Sequence, residues 1–180
     1  IGVRLVGSEM CIRDRSEIVD DFNIMNPIDY CNNPTVNLIT HRYYEICKKN
    51  NINFTISIKN ANIDFIKEHD ITALLDNLLE NAVESALMTN EKFIDFSIST
   101  RNSNFVIIKI SNSCNKKPKY IDGTLVSSKS TSGMHGIGTR SIKRVVEKYN
   151  GNLEMKFDND TKTFTSVIGI NSNLPSNNQS

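Results

Sequence analysis

The chain has no tryptophan, and none of its apolar runs approaches the ~20 residues of a membrane-spanning helix. Its four cysteines, at 11, 31, 47 and 114, include no C-x-x-C pair. That spacing fits neither a zinc site nor a disulfide framework and favours a reducing, cytoplasmic setting. The three histidines, at 41, 69 and 135, are too scattered to suggest a metal cluster. Neither sign of charge is in excess: 21 basic residues face 20 acidic ones, for a net charge of +1. This balance argues against a nucleic-acid-binding face, so no nucleic-acid partner is expected. What remains is a rather polar chain, 38% hydrophobic over 180 residues, long enough for one domain with a real core.

The densest apolar pattern lies between Asp70 and Ala86. Ile71, Leu74, Leu75, Leu78, Leu79, Ala82, Val83 and Ala86 recur at helical spacing and draw one wide stripe. At ~100° per residue, Asn77 and Asn81 fall together on one edge of it, with Glu80 and Glu84 just beyond. A core helix with polar edges would give the same stripe. Two amides four apart at the margin of a buried face also suit a helix that holds something polar against the core.

Along the chain, residues 1–15 differ in character from the rest. Val6 to Arg15 reads like translated adapter sequence, lacks the continuous apolar stretch of a signal peptide, and belongs to a chain beginning with Ile1. Residues 1–15 are expected to be a non-native leader on part of a longer protein, and 16–30 a linker remnant. The folded domain is expected over 31–171. Asn33-Pro34 marks a helix start, because Asn caps and Pro suits the first turn. That helix should reach Lys49 and stop at Asn50-Asn51, with Val36, Ile39, Tyr43, Ile46 and Cys47 inward. Alternating Ile52, Phe54, Ile56 and Ile58 predict a half-buried strand. The Asn77–Asn81 helix follows over about 67–89, then strands over 93–100 and 104–111 joined by the turn-rich Arg101 to Asn104.

Residues 113–135 are rich in Lys, Ser, Thr, Gly and Pro and read as a structureless lid. Gly136-Ile137-Gly138 closes that stretch. A helix then repeats Ile142, Val145, Val146 and Tyr149 and stops at Asn150-Gly151. Two strands, 152–157 and 164–170, end the domain, and a tail over 172–180 is expected to be disordered. This order predicts an α+β, two-layer sandwich: a mixed, mostly antiparallel sheet with its helices on one face.

Glycines at a helix start let backbone amides come close to an anion, at the positive end of the helix dipole. The Asn77–Asn81 pair, followed after a polar lid by Gly136-Ile137-Gly138, resembles the N box and the second glycine-rich box of the GHKL (Bergerat-fold) nucleotide-binding family. Gyrases and histidine kinases share that fold. Several runs are similar to the ATPase domain of peptide-sensing histidine kinases of the accessory-gene-regulator type. They are Asn33-Pro34 through Lys48, Asn51 through Phe54, Ser128-Lys129, His135 through Gly138, Ser141 through Lys143 and Glu147 through Gly151. The resemblance covers about residues 30–170. It implies ATP and Mg²⁺ as cofactors, with Asn81 on the Mg²⁺, which prefers hard oxygen ligands. It further implies that Asn112 reads the adenine, and that Lys129, Gly136 and Gly138 offset the phosphate charge. His135 would face the lid or a phosphate, though a plain loop histidine fits as well.

The chain also departs from the family pattern. The first glycine-rich box, Asp-x-Gly-x-Gly, is replaced by Ile110-Ser111-Asn112-Ser113. Asn112 can accept through its carbonyl, but its NH₂ end then needs another partner. Thr139 stands where leucine is commoner. No histidine has an acceptor context: His41 is followed by Arg42-Tyr43-Tyr44-Glu45 and reads as structural or surface, and His69 beside Asp70 reads as part of a helix start. In the family's ATPase branches a Glu one turn before the Mg²⁺ asparagine activates water. Here that position is Asn77, which cannot take a proton. Asn77 can only orient neighbouring groups, and Glu80 is a candidate to assist an acceptor imidazole, a solvated carboxylate being the plain alternative.

The expected function is therefore that of the ATP-binding catalytic domain of a two-component sensor histidine kinase, moving the γ-phosphate to a histidine on an upstream domain. The expected partners are the phosphoacceptor/dimerisation domain of the parent kinase and, indirectly, a response regulator. The parent is expected to be a homodimer, anchored in a membrane by a region upstream. A GHKL ATPase switch and a non-catalytic binding module remain alternatives.

Overall fold

In the computed structural model, residues 30–59, 62–102, 104–115, 119–121, 124–126 and 137–173 are described. The expectations for the leader 1–15, for linker residues 16–29 and for tail residues 174–180 lie outside them.

Helix α1 spans Pro34–Lys49. It begins where expected, because the Asn33 side chain accepts from the Val36 amide at 3.1 Å and Pro34 occupies a position that needs no donor. Asn37, polar yet buried, folds the incoming chain onto the helix: its oxygen accepts from the Tyr30 and Cys31 amides at 3.1 and 3.0 Å. The helix ends at Asn50, and Asn51 takes a left-handed conformation with φ 54°, which an asparagine tolerates better than most residues. Strand β1, Asn53–Lys59, follows. The connection after it buries Ile63 and Ile66, two core residues that fall outside any periodic pattern and that the sequence reading did not place.

Helix α2, Glu68–Leu87, buries the whole predicted stripe; Leu79 is completely enclosed. Enclosing a leucine side chain stabilises by roughly 1.5–3 kcal/mol. Strands β2 (Phe93–Arg101) and β3 (Phe105–Ser113) form the predicted hairpin, the second running two residues further than expected. Helix α3 spans Ile137–Lys148, so Gly138 lies inside its first turn rather than before it. It stops at Asn150, with φ 50°, and the Gly151 amide bonds back to the Val146 carbonyl at 2.8 Å. A side chain at Gly151 would meet the Gly169 carbonyl at 2.9 Å, so the close approach requires glycine. Strands β6 (Asn152–Asp158) and β7 (Thr163–Asn171) complete the sheet.

One expectation is corrected. The stretch 113–135 is not without structure: Ser113 closes β3, and β4 (Lys119–Ile121) pairs antiparallel with β5 (Thr124–Val126). The signal was present in Tyr120-Ile121, Asp122-Gly123 and Thr124-Leu125-Val126, two β-forming runs about a hairpin dipeptide, but the polar composition around them hid it.

The five-stranded sheet runs β1-β2-β3-β7-β6; β1 and β2 are parallel and every other neighbouring pair is antiparallel. Alternation sends Ile94, Phe96 and Ile98 of β2 and Val106, Ile108 and Ile110 of β3 into the core under the helices, while Asp95 and Lys109 face outward. The result is the expected mixed, mostly antiparallel two-layer sandwich. No helix among the described residues is long and apolar enough to cross a membrane.

Candidate nucleotide site

Helices α2 and α3 lie side by side in opposite senses, and the two ends of the pair differ. At the end away from the asparagines, Asp70 accepts from Lys148 Nζ and from the Tyr149 hydroxyl, both at 2.7 Å. Tyr149 in turn accepts from the Lys67 amide at 3.0 Å. Burial alone would raise the Asp70 carboxyl. The two hydrogen bonds, with the charges of Lys148 and His69, outweigh it and hold Asp70 below the usual carboxylate value. Burial, together with the bond to Asp70, pushes the Tyr149 hydroxyl up to about 12. This cluster fixes where the helices meet. The sequence reading missed it because its members lie far apart in the chain.

At the other end stand Asn77 and Asn81. Asn77 Nδ2 donates to the Ala73 carbonyl at 2.6 Å. A carbonyl can only accept, so this bond decides which way the amide faces. The Asn77 oxygen is thereby turned to α3, where a Cβ on Gly138 would lie 2.8 Å from it and 3.8 Å from Asn81 Nδ2. Gly138 is thus a contact point between the helices at which even an alanine would crowd. Asn81 and Glu80 are exposed on the same stretch of α2, and Asn77 is half-buried. Three of the predicted positions, Asn77, Asn81 and Gly138, are brought together although they are distant in sequence. Lys129, His135 and Gly136 lie outside the described residues.

Asn112 sits on the helix-facing side of β3, opposite Ile94 of β2 and Phe164 of β7, and is 3% exposed. Its Nδ2 donates to the Ser113 carbonyl at 2.9 Å, which supplies the partner that its NH₂ end requires. Ser113 also holds Thr89, just beyond the end of α2, with their hydroxyl oxygens 2.9 Å apart. The sequence reading passed over both hydroxyl residues. His41 lies on α1, stacked on Tyr44 with centroids 6.5 Å apart; both ring nitrogens are shielded from solvent and have no hydrogen-bond partner among the described residues. Its neighbour Arg42 pairs with Asp76 of α2.

A family model described as a GHKL domain matches residues 66–170. The chain belongs to the GHKL family. A curated relative, the probable C4-dicarboxylate sensor kinase of Bacillus subtilis (strain 168), is 29% identical over 112 residues. That match takes in 58% of this chain but only 20% of the relative. Among solved structures, the catalytic domain of histidine kinase ThkA superposes with a TM-score of 0.58 at 18% identity, covering 77% of this chain and 92% of that one. The mycobacterial sensor histidine kinase MprB gives 0.56 at 14% identity, covering 76% and 95%. The Acinetobacter baumannii histidine kinase AdeS gives 0.54 at 12%, covering 91% and 81%. The GHKL domain of this chain therefore has the Bergerat fold seen in histidine kinase catalytic domains.

Proposed function

We propose that this domain binds Mg²⁺-ATP and passes the γ-phosphate to a histidine of a separate phosphoacceptor and dimerisation domain, as the catalytic part of a two-component sensor histidine kinase. The observation that carries this reading is the meeting of Asn77 and Asn81 with Gly138 at the first turn of α3. The residues fit the group. Mg²⁺ takes one or two protein oxygens beside waters and phosphates, and the exposed Asn81 amide can offer one. When bound, the ion neutralises phosphate charge during transfer. The absence of a side chain at Gly138 lets backbone amides of the α3 start approach the phosphates; Gly136, Lys129 and His135, outside the described residues, are assigned to the same anion by the family resemblance. Asn112 reads the adenine with its oxygen.

Asn77 favours transfer over hydrolysis. It stands where a hydrolase needs a base, its amide takes no proton, and its NH₂ is held by the Ala73 carbonyl. Glu80, exposed one residue before Asn81, is placed to assist an incoming imidazole. His41 offers no solvent-accessible nitrogen, since both are shielded. In this reading the domain spans 31–171 and belongs to the accessory-gene-regulator type. It faces the cytoplasm below a membrane-anchored, homodimeric parent and reaches a response regulator only through the acceptor histidine.

Radiolabelled ATP tests the proposal. The chain alone should bind ATP, release phosphate very slowly and stay unlabelled; adding the parent's acceptor domain should place acid-labile label on that domain. Rapid phosphate release without an acceptor would move the chain to the ATPase switches. Absence of nucleotide binding would leave the non-catalytic module.

A further inference from the structure

An asparagine is ambiguous as a base reader. Its amide can present either an acceptor or a donor to the six-position of a purine, whereas a carboxylate can only accept. Asn112 does not keep that freedom. One N–H of its NH₂ is bonded to the Ser113 carbonyl, which an amide oxygen could not replace, so this bond sets which way the amide faces. Ser113 is itself held by a small network of hydroxyl contacts. The Phe93 amide donates to Ser113 Oγ at 3.2 Å. Ser113 Oγ lies 2.9 Å from Thr89 Oγ1, and Thr89 Oγ1 donates to the Ala86 carbonyl at 2.8 Å. Either hydroxyl can donate across that contact; Thr89 Oγ1 also donates to the Glu91 carbonyl at 3.0 Å, and Ser113 Oγ lies 3.5 Å from the Phe93 carbonyl. Asn112, Ser113, Thr89 and Ala86 are buried, and the network ends in the last turn of α2, the helix that carries Asn77 and Asn81.

We infer that Thr89 and Ser113 are positioning residues for base recognition: by fixing the Ser113 carbonyl they lock Asn112 as an acceptor and make the site prefer a 6-amino purine to a 6-oxo purine. With its amide held in this sense, the Asn112 oxygen accepts from the exocyclic amine of adenine and meets the O6 of guanine acceptor to acceptor. A released amide could turn over and donate to O6 instead. Base preference therefore depends on the Thr89–Ser113 pair and not on the identity of residue 112 alone. The same pair ties the base end of the site to the end of α2. The inference rests on the Mg²⁺-ATP reading above.

The test is equilibrium binding of Mg²⁺-ATP and Mg²⁺-GTP to the full 180-residue chain, with a thermal melt of each variant. The unchanged chain should prefer ATP. Ser113→Ala and Thr89→Val should each lower the ATP:GTP affinity ratio by about fivefold, the factor set by one hydrogen bond of ordinary net worth. Ser113→Thr and Thr89→Ser, which keep the hydroxyls, should preserve the ratio, and serve with Thr89→Val if Ser113→Ala does not fold. Equal weakening of both nucleotides in the alanine and valine variants would reduce the pair to structural support and overturn the inference. So would an unchanged ratio. If the unchanged chain binds neither nucleotide, the Mg²⁺-ATP reading fails and this inference with it; ATP binding with an insensitive ratio removes the inference alone.

Discussion

The two ends of the α2–α3 pair are built from similar polar residues to opposite effect. At one end Asp70, 7% exposed, is saturated by Lys148 and Tyr149, and Tyr149 by the Lys67 amide. Every polar group there finds its partner inside the protein. At the other end Asn77 is held, among the described residues, through its NH₂ alone, Asn81 faces solvent, and Gly138 contributes no side chain. A satisfied buried cluster sets helix positions and offers nothing to a ligand. An open cluster on the same two helices contributes little to stability and leaves its oxygens available. Position is secured at one end so that chemistry can be left open at the other.

Removing Asp70 should give the largest effect. Asp70→Ala removes the acceptor for the buried Tyr149 hydroxyl and for the half-buried Lys148, for a loss of about 2–3 kcal/mol in urea unfolding. Mg²⁺-ATP affinity should stay unchanged; an equal loss of affinity would show that the ends are not separable. Asn81→Ala should do the reverse. Affinity for Mg²⁺-ATP should fall at least about tenfold, or ~1.4 kcal/mol, while stability stays within ~0.5 kcal/mol. Equal affinity would remove Asn81 from the site.

Gly138→Ala probes the contact between the helices. Alanine is the better helix former by ~1 kcal/mol, yet here it meets the Asn77 oxygen at 2.8 Å. The change should destabilise by about 1 kcal/mol alone and become neutral or stabilising with Asn77→Ala, a coupling read from a double-mutant cycle. Additive effects would mean that Asn77 moves aside freely.

Strong acid should weaken the closed end. Asp70 is held below its ordinary value, so the unfolded chain binds the proton more readily. Its contribution is complete above the unfolded value of about 3.9 and is lost as pH falls below that, through the lower folded value. Thermal melts between about pH 5 and 2 should be less steep in Asp70→Asn. The smallest effect belongs to Arg42→Ala. Its pair with Asp76 is largely exposed, and the loss should stay within ~0.5 kcal/mol.

Much of this was legible before the structure. The α2 stripe, the Asn33-Pro34 start and the Asn150-Gly151 stop are local signals, and each sits where its residues predict. Asn77, Asn81 and Gly138 were singled out by residue type and spacing, and packing brought them together. The buried Ile63 and Ile66 obey no period, because they lie in a connection whose burial is set by the elements around it. The β4–β5 pair was obscured by the lysines and serines around it. Asp70 with Tyr149 and Thr89 with Ser113 are pairs of ordinary residues far apart in the chain, and only the tertiary fold shows that they meet.

The parallel pairing of β1 with β2 reaches beyond the site. The family match begins at residue 66, yet β1 bonds to β2 along seven residues, from Asn53 opposite Phe93 to Lys59 opposite Ser99. A chain cut to the matched stretch would make β2 an edge strand carrying Ile94, Phe96 and Ile98, and would strip α1 from α2. Such a shortened chain would keep its site residues but lose the β1 ladder along β2 and the packing of α1 on α2, so α1 and β1 complete a domain whose signature motifs lie elsewhere.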